Sequence, residues 1–365
     1  MQAKEKIMLH QFTLLVIIFT IGSSILITPA GLARIAKQDA WMVVILATGI
    51  SMLFISLYNS LGRRFPGMTL TEINEQILGK WLGKIVSLLF ISYFFILASA
   101  LTLEIGDFMT TQIMPETPIQ AVQIIFISIV VMGVRYGLGT FSRAAEIFFP
   151  WILFFILFLT FSLLPQVNYV RIEPVFENGI KPILQATVPM LGLPFLELVV
   201  FLMIIPAIQQ TKKVGKAFYA GTIIGGFILL VITLLTVYVL GSSLTSTQMY
   251  PSYVLAKKVN IGGFLQRVEA IMAGIWFLTI YFKITICFYA SSLGLAQTFK
   301  LNDYRPLIFP LGMLLIALTQ IISPNIVYFN YILRYVWTPY SLTYGLFFPL
   351  LLLVVAVIRK QKVKG

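Results

Sequence analysis

Ten long apolar runs, separated by short polar stretches, dominate the chain: about 10–36, 41–61, 84–111, 119–135, 144–165, 183–208, 217–241, 263–292, 304–322 and 338–358. A bilayer core about 30 Å thick is crossed by roughly 20 apolar residues in a helix. The pattern therefore predicts an all-α polytopic membrane protein with ten transmembrane helices. Both alternate faces of each run are apolar, whereas barrel strands would alternate polar and apolar positions. The first run follows Lys4 and Lys6 in the manner of a signal peptide. It is longer than an h-region of about 7–15 residues, so it is expected as a retained span. The connections are short, which leaves residues 1–365 as a single integral membrane domain.

Ten runs divide into five and five. Pairing the starts 10 with 183, 41 with 217, 84 with 263, 119 with 304 and 144 with 338 keeps the halves in step, and the third and eighth runs are both unusually long. Five is odd, so the second half enters the bilayer from the other side. Residues 10–165 and 183–358 are thus expected to form an inverted repeat, a construction shared by many secondary transporters. Both leading runs carry helix-breaking sequence. The first holds Thr20-Ile21-Gly22-Ser23-Ser24 and then Pro29, and the sixth holds Pro189-Met190-Leu191-Gly192-Leu193-Pro194. Gly22 tolerates non-helical backbone, and Pro194 fits the first position of a second half-helix. Breaks at matching places predict a midplane binding site, where half-helix N-termini favour a ligand carboxylate. The plainer alternative is a pair of proline kinks that only bend helices.

Composition agrees with a membrane setting. The 365 residues are 59% hydrophobic and 11% charged, against about 25% charged in soluble domains. One cysteine, Cys287, excludes an intrachain disulfide, and one histidine, His10, leaves histidine-based metal chemistry without ligands. The net charge is +13. With the N-terminus inside, Lys and Arg favour the inner loops by about two to one, which predicts both termini in the cytoplasm. The basic excess thus reads as topology and contact with membrane lipids, not nucleic-acid binding. In the loop 62–83, Thr69 and Glu72 have capping-box spacing ahead of Ile73, Ile77, Leu78, Trp81 and Leu82. A short amphipathic helix on the cytoplasmic surface is expected there.

Charges within the apolar runs cost roughly 3 kcal/mol each on insertion scales. Glu197 stands three residues after Pro194 and is assigned to bind an amine, carry a proton, or brace and cap the break. Lys283, placed toward the cytoplasmic third of the eighth span, would stand in for a bound sodium ion as a fixed cation, or snorkel, or pair with an acid such as Glu197. Glu104 and Asp107 share one face near the outer end of the third span, either as a vestibule for cationic or zwitterionic ligands or as an acidic helix end near water. Glu269, beside Arg267, reads as an interfacial anchor, and Arg143 with Glu146 as a tie between loop and helix end. Gly225-Gly226 and Gly262-Gly263 lack the Lys-Ser/Thr of a phosphate loop, and no Gly-x-Ser-x-Gly elbow occurs. No catalytic residue, metal or cofactor is assigned, and the chain is not expected to be an enzyme.

Four motifs in order carry a family resemblance: Gly22-x-x-Ile25-Leu26-x-x-Pro29, Gly79-Lys80-Trp81-Leu82-Gly83-Lys84, Arg143-Ala144-Ala145-Glu146-Ile147-Phe148-Phe149-Pro150, and Pro174-Val175-Phe176-Glu177-Asn178-Gly179-Ile180-Lys181-Pro182. The first is similar to the opening of many amino acid–polyamine–organocation transporters. Together, over about 8–360, they resemble the spore germination permease family, the B subunits of nutrient germinant receptors in endospore-forming bacteria.

The resemblance implies a ten-span fold of five plus five, placed in the spore inner membrane. It implies partnership with a receptor A subunit and a lipoprotein C subunit. The ligand it implies is a small nutrient, typically an amino acid and sometimes a sugar or nucleoside, whose binding starts ion release and germination. By analogy the ligand would lie between the breaks, at Gly22, Ser23, Ser24, Gly192, Leu193 and Phe195, with Thr20 nearby and Ala98 and Lys283 as further contacts. Two other functions fit the same fold. One is a proton-coupled amino acid permease using Glu197 or Lys283. The other is an ion- or water-conducting pore lined by Thr20, Ser23, Ser24, Glu197 and Lys283.

Overall fold

The computed structural model describes residues 6–210, 213–259, 267–323 and 325–360, and these are helical almost throughout. Eight stretches are long and apolar enough to cross a membrane, and Leu9–Ile21 and Arg305–Ile321 are shorter apolar helices. The first of the eight, Ser24–Arg64, is really two rods, because the chain reverses at Lys37–Asp39 between Ser24–Ala36 and Ala40–Arg64. Leu9–Ile21 joins Ser24–Ala36 as one broken span, and ten spans result. The others are Ala40–Arg64, Lys80–Phe108, Ile119–Tyr136, Leu138–Leu163, the broken sixth from Ile180–Met190 to Leu196–Met203, Val214–Leu240, Glu269–Thr298, Arg305–Ile321 and the run Ile326–Ile358.

Contacts between spans follow the inverted repeat. The first span packs on the seventh as the second packs on the sixth, and the second on the seventh. The third crosses the eighth, and the third with ninth mirrors the eighth with fourth. Close approach at the seventh span depends on missing side chains. A Cβ on Gly225 would lie 2.6 Å from Thr20 Cβ, and one on Gly226 2.5 Å from Thr48 Oγ1. Small residues of this kind let membrane helices pack backbone to backbone. Inward-facing residues of the first, sixth and eighth spans fill the core, including Phe12, Phe19, Phe201 and Trp276. Ile125, Ile129, Ile147, Phe154, Phe161 and Met313 on the fourth, fifth and ninth spans stay exposed, as lipid-facing side chains must.

Several expected boundaries shift. The tenth span begins at Ile326, not near 338. Its first turns carry Tyr328, Asn330, Tyr331, Arg334 and Tyr335, too polar for an apolar window, and Asn325 caps them by accepting from Tyr328 N at 2.9 Å. The eighth helix runs on to Thr298, so Lys283 sits near its midpoint rather than in its cytoplasmic third. The beginning of the expected eighth span, 263–266, lies outside the described residues, as do Lys4 and Gly262-Gly263. The predicted short helix is present as Leu70–Leu78, with Thr69 and Glu72 forming the capping box. Its apolar side faces protein rather than lipid, since Leu70, Ile73 and Ile77 are fully buried against the third and eighth spans and the end of the tenth. Trp81 and Leu82, at the start of the third span, are the exposed apolar pair.

The N-terminal edge is tied down by backbone. Ile7 N donates to Ala207 O at 2.9 Å and Gln209 N to Ile7 O at 3.2 Å, joining the start of the first span to the end of the sixth. Glu146 takes hydrogen bonds from the first span, from Gln11 Nε2 and through His10 Nε2, each at 2.9 Å. Glu146, expected with Arg143 to tie a loop to a helix end, thus clamps the fifth span to the first.

Candidate functional site

The two breaks lie inside the bundle. At Gly22 the backbone turns to φ 27° and ψ −128°, a left-handed conformation that disfavours a side chain. The space is also taken, because a Cβ there would sit 2.5 Å from Lys283 Cδ and 2.8 Å from Phe19 O. The Gly22 carbonyl freed by the break accepts from Thr279 Oγ1 at 3.3 Å. In the sixth span, Leu193 adopts φ −134° and ψ 109°, an extended residue between helical turns, and Pro194 follows. The next segment, Leu196–Met203, is wound as a 3₁₀ helix.

Lys283 and Glu197 meet between these breaks. Lys283 Nζ stands 2.6 Å from Glu197 Oε2, with both side chains fully buried. Lys283 also donates to Ser23 Oγ at 3.4 Å and lies 5.1 Å from the Phe19 ring centroid. Trp337 Nε1, from the tenth span, donates to Glu197 Oε1 at 3.0 Å. Four spans therefore converge on one ion pair. Removing two charges from water is costly, and such a pair is tolerated when each ion is matched and its remaining valences are hydrogen-bonded. Here the two ions face each other, Trp337 donates to the second carboxylate oxygen, and the ammonium reaches Ser23. Phe195, the residue ahead of Leu196–Met203, supplies no side-chain cap, and Glu197 reaches Lys283 and Trp337.

The other expected positions distribute unevenly. Gly22 and Ser23 touch Lys283 directly, and Ser24 presents a buried hydroxyl with no hydrogen-bond partner among the described residues. Thr20 donates to Val16 O at 2.8 Å and packs on Gly225 of the seventh span. Gly192 abuts Thr338, where a Cβ would meet Oγ1 at 2.6 Å. Phe195 and Ala98 are fully buried. Leu193 lines a cavity of about 260 Å³ shared with Glu104, Glu197, Trp337 and Tyr340. Glu104 is only 5% exposed, so it is not an acidic helix end near water. Asp107, one turn on, accepts from Tyr250 Oη at 2.6 Å. Burial, reinforced by Asp107, holds the Tyr250 phenol well above its ordinary range and keeps it a proton donor. Tyr250 belongs to the connection that closes the face away from the termini, where Ser252 Oγ also donates to Ile25 O at 2.6 Å.

Trp337 escaped sequence reasoning. Nothing in its local pattern marks it, and it lies far along the chain from Glu197. The only signal available is an indole in an apolar span, since a buried Trp N–H needs an acceptor.

Comparison with known proteins now has a geometry to meet. A family model described as "Spore germination protein" matches residues 6–327. The chain belongs to this spore germination protein family. Spore germination protein KB of Bacillus subtilis (strain 168) is 29% identical over 363 residues, covering 98% of this chain and 96% of that protein. Spore germination protein YndE of the same organism is 26% identical over 302 residues, covering 81% of this chain and 82% of its own. Among solved structures, the nucleobase-cation-symport-1 transporter Mhp1, closed with bromovinylhydantoin bound, aligns at TM-score 0.74 with 14% identity, over 99% of this chain and 81% of that one. MhsT in complex with L-phenylalanine aligns at TM-score 0.69 with 13% identity, over 95% of this chain and 97% of that one. These likenesses establish the fold. This germination-family chain is a multi-pass, transporter-like membrane protein of ten helices in a five-plus-five inverted repeat with broken first and sixth spans.

Proposed function

We propose that the chain is the membrane subunit of a spore nutrient germinant receptor. It binds a small germinant, an amino acid by preference, at the midplane between the breaks of the first and sixth spans. One observation carries the reading: in a chain of the germination family, Gly22, Ser23 and the Lys283–Glu197 pair meet where both breaks face each other. Binding favours one arrangement of the broken helices, and the A subunit and lipoprotein C subunit read that shift and start ion release. Residues 10–165 and 183–358 act as the two repeats that move relative to each other. The protein sits in the spore inner membrane with both termini cytoplasmic, on the side where its cations concentrate.

A second reading, a proton-coupled amino acid permease, is favoured by the buried ion pair itself, because moving one proton from Lys283 to Glu197 leaves both groups neutral without leaving the site. The pore reading needs a continuous polar lining, and Thr20, whose hydroxyl donates to Val16 O, packs on Gly225 of the seventh span.

The experiment compares nutrient-triggered germination of spores carrying Gly22→Leu, the unaltered chain, or a deletion. Deletion and Gly22→Leu are both expected to abolish the response to the same nutrient at normal levels of this chain and the A subunit. A deletion that leaves every nutrient response intact overturns the receptor reading, and amino acid uptake by vesicles then tests the permease.

A further inference from the structure

A second cleft, about 370 Å³ in volume, opens between the helix Leu70–Leu78 and the end of the eighth span, on the face of the molecule that carries the chain termini. It takes in no residue of either break. One amide organises it. Gln297 Oε1 accepts from Thr69 Oγ1 at 2.7 Å and from Thr71 Oγ1, which leaves Nε2 to donate. Two acids of the short helix, Glu72 and Glu75, line the cleft together with two lysines, Lys80 at the start of the third span and Lys300 just past the eighth. Among the described residues, no ion pair joins either lysine to either acid. Glu72 is held in its capping box, where Oε2 accepts from Thr69 N at 2.7 Å. Glu75 has no such tie and is the carboxylate left for a ligand.

Opposite charges that share a cleft without pairing suit a ligand that carries both. The surroundings of the cleft indicate its source. Lys80 runs straight into Trp81 and Leu82, which are 81% and 61% exposed, and the exposed side of the third span continues through Ile85, Leu88 and Leu89. Lys300 is flanked by exposed Phe299 and Leu301. Exposed apolar side chains on a membrane span face lipid, and an indole at the end of a span sits at headgroup level. Lysines at that level lay their stems along the apolar zone and bring their ammonium groups to lipid phosphates. The cleft therefore opens among headgroups, beside an apolar strip along which acyl chains can lie.

We propose that this cleft binds the phosphoethanolamine headgroup of an aminophospholipid. The phosphate lies between Lys80 and Lys300, the ammonium on Glu75, and the acyl chains along Trp81, Leu82 and Ile85. Each end of the headgroup then makes charge-assisted hydrogen bonds. A purely anionic headgroup such as glycerol phosphate satisfies the lysines but leaves Glu75 facing negative charge. A choline headgroup has no N–H for the carboxylate. Free phosphoethanolamine carries the same two charges, and only the apolar strip beside the cleft separates the lipid from it. The bound lipid ties the start of the third span, the short helix and the end of the eighth span to one another. The inference does not rest on the germinant reading, which places its ligand at Gly22 and Ser23.

The test uses the full chain, purified in detergent and titrated in native mass spectrometry with phosphatidylethanolamine, phosphatidylcholine and phosphatidylglycerol of identical acyl chains, and with free phosphoethanolamine. Phosphatidylethanolamine is expected to bind at least tenfold more tightly than the other two lipids and than free phosphoethanolamine. Glu75→Gln should bring phosphatidylethanolamine and phosphatidylcholine within threefold of each other. Lys80→Met with Lys300→Met should weaken all three lipids at least tenfold. Equal binding of the three lipids overturns the proposal and leaves only an apolar strip against the bilayer. A preference for phosphatidylethanolamine that survives Glu75→Gln places its site elsewhere and also overturns it. Free phosphoethanolamine binding as tightly as the lipid overturns the lipid source and gives the cleft to the soluble compound. All three substituted residues are at the surface, and an unchanged melting temperature confirms that each variant folds. None of these outcomes depends on germination, so a failure here is separable from a failure of the receptor assignment.

Discussion

The two broken spans solve the same problem in opposite ways. The first closes its break with a cation from elsewhere. Lys283 fills the space a side chain at Gly22 would need, and its ammonium reaches Ser23. The sixth leaves its break open on one side, where Leu193 faces an apolar cavity, and anchors the other through Glu197 to Trp337 and Lys283. A break at one place in a repeat therefore does not dictate its surroundings at the matching place. What the halves share is backbone geometry, and what differs is the chemistry placed against it.

The largest test of this contrast removes the cation common to both sides. Lys283→Met leaves Glu197 buried without its partner and is expected to cost about 3–5 kcal/mol, read as a lowered melting temperature of the purified protein. The double variant Lys283→Met/Glu197→Gln should recover most of that loss, because no bare charge remains. A double variant as unstable as the single one would show that shape, not charge, makes Lys283 necessary at the Gly22 break. A smaller effect is expected on the sixth-span side alone. Trp337→Phe keeps the ring but removes the bond to Glu197, a charge-assisted contact of about 1.5–3 kcal/mol, and the Gly22 break should keep its geometry. The smallest belongs to a region remote from both breaks. Thr69→Ala deletes the cap of Leu70–Leu78 and should cost about 1 kcal/mol, with ligand responses unchanged.

Much of this was legible in the sequence. Apolar length gave the ten spans, and glycine and proline marked Gly22 and Pro194, because a helix in lipid has few residues that permit a break. The rarity of intramembrane charge singled out Glu197 and Lys283. Other features left no local trace. The start of the tenth span hides in an aromatic, partly polar stretch whose helix is completed by wide turns at Ile332–Val336 and Thr343–Phe347. Those turns loosen backbone bonding, and Tyr58 Oη supplies a donor to Gly345 O at 2.6 Å from across the bundle. The burial of Glu104 was equally hidden, because the spacing of Glu104 and Asp107 defines a helix face but not what covers it. The partner of Asp107, Tyr250, sits in a connection whose docking is a tertiary property.

The Lys283–Glu197 pair also bears on how the protein is made. Glu197 leaves the ribosome first, and a whole span separates it from Lys283. Until the eighth span is delivered, the sixth carries a lone acid, which costs roughly 2.5–3.5 kcal/mol at a bilayer centre. The sixth span is then better kept at the insertion machinery than released into lipid. The sixth, seventh and eighth helices are thus set to enter the membrane as a group, with the eighth completing the insertion of the sixth.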